Sequence, residues 1–274
     1  MHPKTVLITG CSSGIGRATA LAFDAEGWTV YATARDRSDI EPLADAGCET
    51  AELDVTEQDD IDRVVNRILD EEGVISCLVN NAGYGQFGPV EDVPMAQVEQ
   101  QYEVNVYGPH RLIKSVLPHM RREEDGTIIN ISSVAGRVAF PGGGVYCGSK
   151  FAIEAMSDAL RAEVEPFDID VVVIEPGPVK TGFTERAEDE VDGIDRSGAY
   201  EAFYTLFDDT QAIGGDGPGS VEPERVAEDV VDAASSTKPP ARIPVGTLAS
   251  ASVLARFIPD SARDSLWSWL QRLS

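Results

Sequence analysis

The sequence predicts an α/β fold in which helices flank a doubly wound, seven-stranded parallel sheet. Short runs rich in β-branched residues recur along the chain, and amphipathic segments separate most of them, which is typical of this class. The predicted strands span residues 5–9, 28–34, 49–53, 77–80, 127–131, 170–174 and 242–245, and the predicted helices span residues 14–26, 57–72, 95–122, 146–166 and 222–236. Such sheets bind ligands outside the carboxyl ends of their strands, so we look for a site there.

The first predicted strand leads into a glycine-rich turn, and the turn leads into a helix. Gly10, Gly14 and Gly16 let the backbone turn sharply and approach a ligand without a Cβ in the way. The N–H groups and the dipole at the start of the helix then face a pyrophosphate. This order of strand, turn and helix predicts a Rossmann-like dinucleotide site, the alternative being glycines that serve only tight packing.

The end of the second predicted strand indicates which dinucleotide binds. Enzymes that use NAD usually place an acid here to bind the ribose 2′-hydroxyl. In this chain Ala34 occupies that place and Arg35 follows it. A guanidinium suits a 2′-phosphate because its planar fork binds phosphate oxygens in pairs, and Ser12 or Ser13 could add a hydroxyl contact. The sequence therefore favours NADP (NADPH) over NAD, unless the arginines here only neutralise neighbouring acids.

A tyrosine and a lysine four residues apart, Tyr146 and Lys150, carry the main chemical signal. On a helix this spacing places both side chains on one face. A nearby cation favours the phenolate, and so it lowers a tyrosine pKa that is ordinarily about 10. The pair is a candidate general acid and base, and Ser133, thirteen positions before the tyrosine, can hydrogen-bond the reacting oxygen. Because such pairs also occur by chance on solvated helices, the prediction depends on the nucleotide motifs that precede them.

With these residues in place, the chain resembles the short-chain dehydrogenase/reductase (SDR) family, in its single-domain form, over residues 4–245. The resemblance implies that Tyr146 is the general acid/base, that Lys150 also holds ribose hydroxyls, and that Asn105 holds a water beside this lysine. It implies a wide set of cofactor contacts: Gly10, Ser12, Ser13, Gly14, Ile15, Gly16, Arg35, Asp54, Val55, Asn81, Ala82, Gly83, Tyr146, Lys150, Pro176, Gly177, Val179 and Thr181. Within the family, the motifs resemble most the hydroxysteroid and retinol dehydrogenase-like branch, which acts on hydrophobic alcohols.

Two regions depart from the regular alternation. Residues 182–220 form an acidic, glycine-rich stretch that directly follows Thr181, and this position favours a substrate lid over a surface excursion. The apolar pocket beneath it is predicted to use Ser133, Phe140, Val145, Phe183 and Phe207. The tail, residues 248–274, shows two helical patterns divided by Pro259. The second pattern carries an apolar stripe: Leu266, Trp269, Leu270 and Leu273. This stripe could pack on the chain itself, on a sister subunit or on a membrane, and we favour packing on the chain itself.

The composition is that of an acidic globular protein. The 274 residues suit one α/β domain, and 47 Asp and Glu against 22 Lys and Arg give a formal net charge of −25. Such a surface is typical of halophilic, salt-accumulating microbes, because high salt screens the self-repulsion. It also repels nucleic acid and anionic lipid, so neither is an expected partner. Four cysteines without paired or metal-binding spacing predict free thiols, a reducing cytoplasm and no metal site.

The sequence thus predicts an oxidoreductase that transfers a hydride between NADP(H) and an alcohol or ketone, with a hydrophobic substrate favoured. One alternative is a catalytically silent NADP-binding regulator, which would not need to keep Ser133, Tyr146, Lys150 and Asn105. Another is a sugar-nucleotide epimerase, but little chain follows residue 245 for the larger substrate domain that such enzymes add. The resemblance also implies a homodimer or homotetramer that pairs through long helices.

Overall fold

We describe the chain from a computed structural model that covers residues 4–201, 203–205, 219–250 and 257–270, without the side chains of residues 184, 185, 188 and 266–270. Seven strands form one sheet: β1 Thr5–Thr9, β2 Thr29–Ala34, β3 Glu49–Glu52, β4 Cys77–Asn80, β5 Gly126–Ile131, β6 Ile169–Pro176 and β7 Arg242–Val245. They are all parallel, in the order β3-β2-β1-β4-β5-β6-β7. The predicted fold class is confirmed.

Among the described residues, the helices α1 to α8 lie between successive strands and α9 follows β7: α1 Gly14–Ala25, α2 Glu41–Ala46, α3 Gln58–Glu72, α4 Met95–Tyr102, α5 Gly108–Glu123, α6 Gly144–Val164, α7 Phe183–Asp192, α8 Pro223–Ser235 and α9 Asp260–Leu270. Helix α2 was not predicted, since six residues are too few to display a helical period.

The central strands are apolar on both sides because both faces of the sheet are covered. In β1, Val6 and Ile8 face a core cluster that contains Phe23 of α1 and residues of α8. Leu7 between them faces the opposite cluster, which contains residues of α3 and α5 such as Leu112. With both faces closed by packing, the carboxyl edge of the sheet is where a ligand can enter.

The helix predicted over residues 95–122 is divided by a π-helical turn, Glu103–Tyr107, between α4 and α5. Pro109 explains the interruption, because proline lacks an N–H and its ring clashes with the carbonyl four residues earlier, here that of Asn105. The wider turn leaves Asn105 buried, and its Nδ2 donates a hydrogen bond to Ser149 Oγ of α6 at 3.2 Å. A π turn of this kind commonly marks a functional position.

The two ends of the segment that follows β6 lie side by side. Val179 and Val221 form a parallel bridge, and the Val221 N–H donates to the Pro178 carbonyl at 3.0 Å. Between these residues, α7 and the short 3₁₀ turn Gly198–Tyr200 lie over the carboxyl edge of the sheet. The Tyr204 hydroxyl, farther along, donates to Asp92 Oδ2 at 2.8 Å.

Some predictions concern residues outside this description. Phe207 and Leu273 lie outside the described residues, as do the side chains of Leu266, Trp269 and Leu270. Over the described ranges, no helix has both the length and the apolar character that a membrane span requires. The same ranges hold no cluster of three or more metal-ligating side chains, and all four cysteines are free and buried.

Candidate active site

The carboxyl ends of the strands border one cleft of about 1300 Å³. Gly10 follows β1, Ala34 ends β2, Asn81 follows β4, Ser133 follows β5 and Pro176 ends β6, and all five residues line this cleft. The sheet order reverses between β1 and β4, which is the switch point where doubly wound folds bind ligands. The cleft is therefore the candidate active site.

The glycine turn forms the floor at the switch point. Gly14 has a φ of +53°, and a Cβ placed on it would lie 2.9 Å from Thr181 Cγ2, so the turn also contacts the segment after β6. Gly16 lies beneath the turn rather than in the cleft wall, where a Cβ would overlap the Gly10 carbonyl oxygen. Ser13 is the N-cap of α1, yet its side chain makes no capping hydrogen bond. The start of α1 can therefore offer its N–H groups to an anion, which fits the phosphates of a dinucleotide.

Asn81 fastens the turn to β4. Its Nδ2 donates to the carbonyls of Thr9 and Gly10 at 2.8 and 3.0 Å, and the N–H groups of Asn81 and Ala82 both donate to Thr9 Oγ1 at 3.1 Å. These bonds lie within the protein, so they hold the floor of the cleft in place without a bound ligand. Almost all the predicted cofactor contacts line the cleft, with Gly16 as the exception: Gly10, Ser12, Ser13, Gly14, Ile15, Arg35, Asp54, Val55, Asn81, Ala82, Gly83, Tyr146, Lys150, Pro176, Gly177, Val179 and Thr181.

The end of β2 presents a cation rather than an acid. Arg35 is exposed and lines the cleft, whereas Arg17 and Arg37 do not. Asp54, on the other side of this end of the cleft, has its Oδ1 engaged by the Thr56 N–H at 2.9 Å and by the Thr56 hydroxyl at 2.8 Å. The positive charge of Arg35 thus stands where the sequence predicted a contact to a 2′-phosphate.

Tyr146 and Lys150 meet at the opposite end of the cleft, on the first two turns of α6. Both are buried, with exposed fractions of 7% each, and both line the cleft. Lys150 Nζ lies 5.8 Å from the centroid of the Tyr146 ring and donates to the Ile131 carbonyl at 2.9 Å. The side chains therefore share one face of α6, as the spacing predicted.

The expectation that Lys150 lowers the pKa of Tyr146 is not met in this structure. Burial raises the tyrosine pKa to about 12, and a hydrogen bond with Ser133 opposes that rise. The ammonium lies over the tyrosine ring and is bonded to the Ile131 carbonyl, and burial is the larger influence on the pKa of the hydroxyl. Burial also lowers the pKa of Lys150 to about 8, and the charge of Glu154 opposes that change. Near pH 7 the site therefore holds a neutral phenol and an ammonium.

Ser133 and Asn105 support the tyrosine and the lysine in different ways. Ser133 lines the cleft, and its Oγ accepts the Ala135 N–H at 3.1 Å while hydrogen-bonding Tyr146. Asn105 lies behind the wall, where its amide binds both the N–H and the carbonyl of Tyr84, at 3.1 and 2.9 Å. Its catalytic role stays a prediction, and its visible effect is to fix the backbone next to Lys150.

Aromatic side chains surround Tyr146 on the substrate side. The ring centroids of Phe87 and Phe183 lie 5.3 and 5.6 Å from that of Tyr146, and Phe140 stacks on Phe87 at 6.3 Å. The predicted pocket residues Ser133, Phe140 and Phe183 line the cleft. Val145, also predicted for this pocket, does not line the cleft: its position one residue before Tyr146 turns it to another side of α6, where it packs in a small cluster with Val93 and Ile194, and its contact with a substrate stays a prediction.

Several cleft residues were not predicted. Tyr84 and Phe87 come shortly after the Asn81-Ala82-Gly83 motif, and the position of these aromatic residues could have indicated that they line the cleft. Phe203 and Arg186 belong to the segment after β6, where sequence shows no periodic link to the sheet. The Phe203 ring occupies the space that a side chain on Gly142 would fill. The glycine therefore allows the segment after β6 to pack on the loop after β5.

A buried charge cluster lies one helical turn behind Lys150. Glu154 of α6 and Glu175 of β6 share the guanidinium of Arg242, whose Nε is 2.9 and 3.3 Å from their carboxylates. Arg137 approaches both acids at 3.7 and 3.5 Å. Burial, and then the charge of Glu154, raises the pKa of Glu175 to about 7.

We predict that Glu175→Gln stabilises the protein in a pH-dependent way. A carboxyl with a raised folded-state pKa stabilises the fold below its unfolded pKa, here 4.5, and this contribution is lost as the pH rises to about 7. The variant should match the wild type near pH 4.5 and exceed its free energy of unfolding above pH 7, by on the order of 2 kcal/mol. Urea unfolding at several pH values measures this difference, with exposed Glu224→Gln as the control. A difference that does not change with pH would contradict the assignment.

Comparison with known proteins identifies the family to which this fold and cleft belong. A family model described as short chain dehydrogenase matches residues 4–192, more than half of the chain. The chain therefore belongs to the short-chain dehydrogenase/reductase family of oxidoreductases.

Individual relatives refine this result. Over 266 residues the chain is 36% identical to the uncharacterized oxidoreductase YbbO of Escherichia coli K12, covering 96% of this chain and 93% of that protein. Over 258 residues it is 35% identical to retinol dehydrogenase 8 and to 17-beta-hydroxysteroid dehydrogenase type 1, both of Homo sapiens, covering 88% of this chain and 80% and 77% of those proteins. The predicted likeness to the hydroxysteroid and retinol branch is confirmed.

Solved structures share the fold along nearly the whole chain. A short-chain dehydrogenase from Streptomyces avermitilis superposes with a TM-score of 0.81 at 33% identity, covering 99% of this chain and 97% of that one. The closed form of a serine dehydrogenase complexed with NADP⁺ superposes with a TM-score of 0.76 at 28% identity, covering 89% and 95%.

Proposed function

We propose that the protein is an NADP-dependent oxidoreductase that interconverts an apolar alcohol and its ketone or aldehyde, with Tyr146 as the general acid/base. The observation that carries this proposal is the position of Tyr146 and Lys150 in one cleft with the glycine turn. A dinucleotide held by its phosphates at the turn and extended along the strand ends would bring its nicotinamide to this end of the cleft. A sensor without turnover would not need a buried phenol there.

The preference for NADP rests on the charge at the end of β2. Arg35 lines the cleft, and the strand ends in Ala34 rather than in an acid. A guanidinium favours a 2′-phosphate, whereas a 2′-hydroxyl gains little from it. The NADP⁺ complex of the similar serine dehydrogenase is consistent with this preference.

When bound, NADPH supplies the hydride to the carbonyl carbon. The protein's own part is to bind, orient and protonate. Tyr146, neutral because its pKa is about 12, donates a proton to the substrate oxygen, and Ser133 hydrogen-bonds the same oxygen and stabilises its developing charge. Lys150 would hold the ribose hydroxyls of the bound nucleotide and would keep a positive charge beside the tyrosine. The raised pKa of Tyr146 keeps the phenol protonated near neutral pH, which is the form that carbonyl reduction requires.

The wall around Tyr146 supports an apolar substrate. Phe87, Phe140 and Phe183 present ring faces and edges to the same space, and burying such surface against an apolar ligand contributes about 25 cal/mol per Å². The names of the relatives that act on retinol and a hydroxysteroid point the same way. We further propose that residues 182–220 act as a lid that excludes water over this wall.

The proposal is tested by following NADPH oxidation at 340 nm with a panel of ketones and aldehydes of increasing apolar area. We expect turnover with NADPH, and a kcat/KM that rises with the apolar area of the substrate. Small polar ketones should be poor substrates. The absence of turnover with every member of the panel, together with tight NADPH binding, would instead support the silent regulator.

A further inference from the structure

Helix α7 begins against the glycine turn. Thr181 contacts Gly14, and Thr181 Oγ1 accepts the N–H of Phe183, the first residue of α7, at 3.3 Å. The phosphates of a dinucleotide bind at such a turn, so the first turn of α7 must pass close to them. A side chain one turn into α7 is placed to reach the same phosphates.

Arg186 is that side chain. It is exposed and lines the cleft, and its guanidinium carbon lies 4.8 Å from the centroid of the Tyr84 ring. Tyr84 follows Gly83 on the opposite wall, and Asn105 holds its backbone. Arg186 therefore reaches across the cleft from the segment after β6 to the wall that follows β4.

The acidic side chains that the structure describes form no ion pair with Arg186. Among the described side chains, no carboxylate oxygen lies within 4 Å of its guanidinium. Glu190, one turn later on α7, also lines the cleft. Burial raises the pKa of Tyr84 to about 12, the charge of Glu190 adds to this rise, and the charges of Arg186 and Arg35 oppose it. Arg186 and Arg35 thus form two cationic positions along the path of a dinucleotide.

We propose that Arg186 binds the diphosphate of the cofactor and so fastens α7 over the bound dinucleotide. The Tyr84 ring holds the guanidinium in place by a cation–π contact until phosphate oxygens accept its hydrogen bonds. This proposal rests on the proposed function only for the identity of the ligand. It differs from the role of Arg35, because a diphosphate is common to NADP and NAD whereas a 2′-phosphate is not.

Equilibrium titration of purified Arg186→Gln with NADPH, NADH and 2′,5′-ADP tests the proposal without turnover. Loss of charge-assisted hydrogen bonds should weaken NADPH and NADH by similar factors, about tenfold each. It should weaken 2′,5′-ADP much less, since that probe lacks the diphosphate. Arg186→Lys should recover part of the affinity, and Glu190→Gln should tighten both dinucleotides by about two- to threefold because it removes a like charge.

Arg196→Gln is the matched control, because Arg196 also stacks on a tyrosine, Tyr204 at 4.7 Å, in the same segment but outside the cleft wall. It should leave the three affinities unchanged. Unchanged NADPH and NADH affinities in Arg186→Gln would overturn the proposal, and so would a raised substrate KM with normal cofactor binding, which would assign Arg186 to the substrate. In either case, selective loss of NADPH binding in Arg35→Ala would leave the proposed function standing.

Discussion

Tyr146→Phe is expected to lower kcat for carbonyl reduction by roughly 10²–10⁴-fold while leaving cofactor affinity within about threefold of the wild type. The variant removes the proton donor and keeps the ring, so the contacts with Phe87 and Phe183 that hold the wall together remain. Ser133 alone cannot replace the donor, because a serine hydroxyl is a far weaker acid than a phenol. Steady-state rates with the preferred ketone, together with NADPH titrations, measure both quantities.

The control for this prediction is a substitution of similar size on a neighbouring ring. Phe140→Leu keeps an apolar side chain in the wall, so it should alter KM for the substrate more than kcat. A Tyr146→Phe enzyme that kept more than about a tenth of wild-type kcat would show that another group donates the proton.

Arg35→Ala is expected to reduce affinity for NADPH by roughly 10- to 100-fold and to leave affinity for NADH nearly unchanged. The expected loss is that of charge-assisted hydrogen bonds to a 2′-phosphate that NADH lacks. Because Arg35 is exposed, we expect the loss of NADPH affinity to fall toward the lower end of this range. Raising the salt concentration should reduce the difference in NADPH affinity between wild type and variant.

Arg37→Ala is the matched control, since Arg37 is an exposed arginine two residues later that does not line the cleft. It should change neither affinity. Equal losses for NADPH and NADH in Arg35→Ala would remove the basis for the NADP preference and would suggest a general electrostatic effect on anions.

The sequence predicts the fold well because each strand of a buried parallel sheet is visible as a local apolar run. All seven strands are found within a few residues of their predicted positions, since each is a short apolar run between helices. The candidate cofactor residues, which the family resemblance implied, lie at the ends of these strands. Because Gly10 follows β1 and Asn81 follows β4, parallel pairing of these strands brings both residues to the same edge of the sheet.

What the sequence could not predict depends on burial and on contacts between distant segments. The pKa of Tyr146 is set mainly by lost solvation, which spacing to Lys150 does not reveal. Val145 packs away from the cleft because adjacent positions on a helix point about 100° apart, so a neighbour of Tyr146 need not face the site. Arg186 lies in a segment whose path over the cleft has no periodic signal. The predicted oligomer, halophilic origin and cytoplasmic location stay predictions.

A crystal structure of the enzyme with NADP⁺ and a bound ketone or alcohol analogue tests the account most directly. We predict that the nicotinamide lies at the Tyr146 end of the cleft, that the Tyr146 hydroxyl is within about 3 Å of the ligand oxygen, and that Ser133 bonds the same oxygen. A complex in which that oxygen is bound by other groups, with the phenol still buried against Phe87 and Phe183, would contradict the central claim.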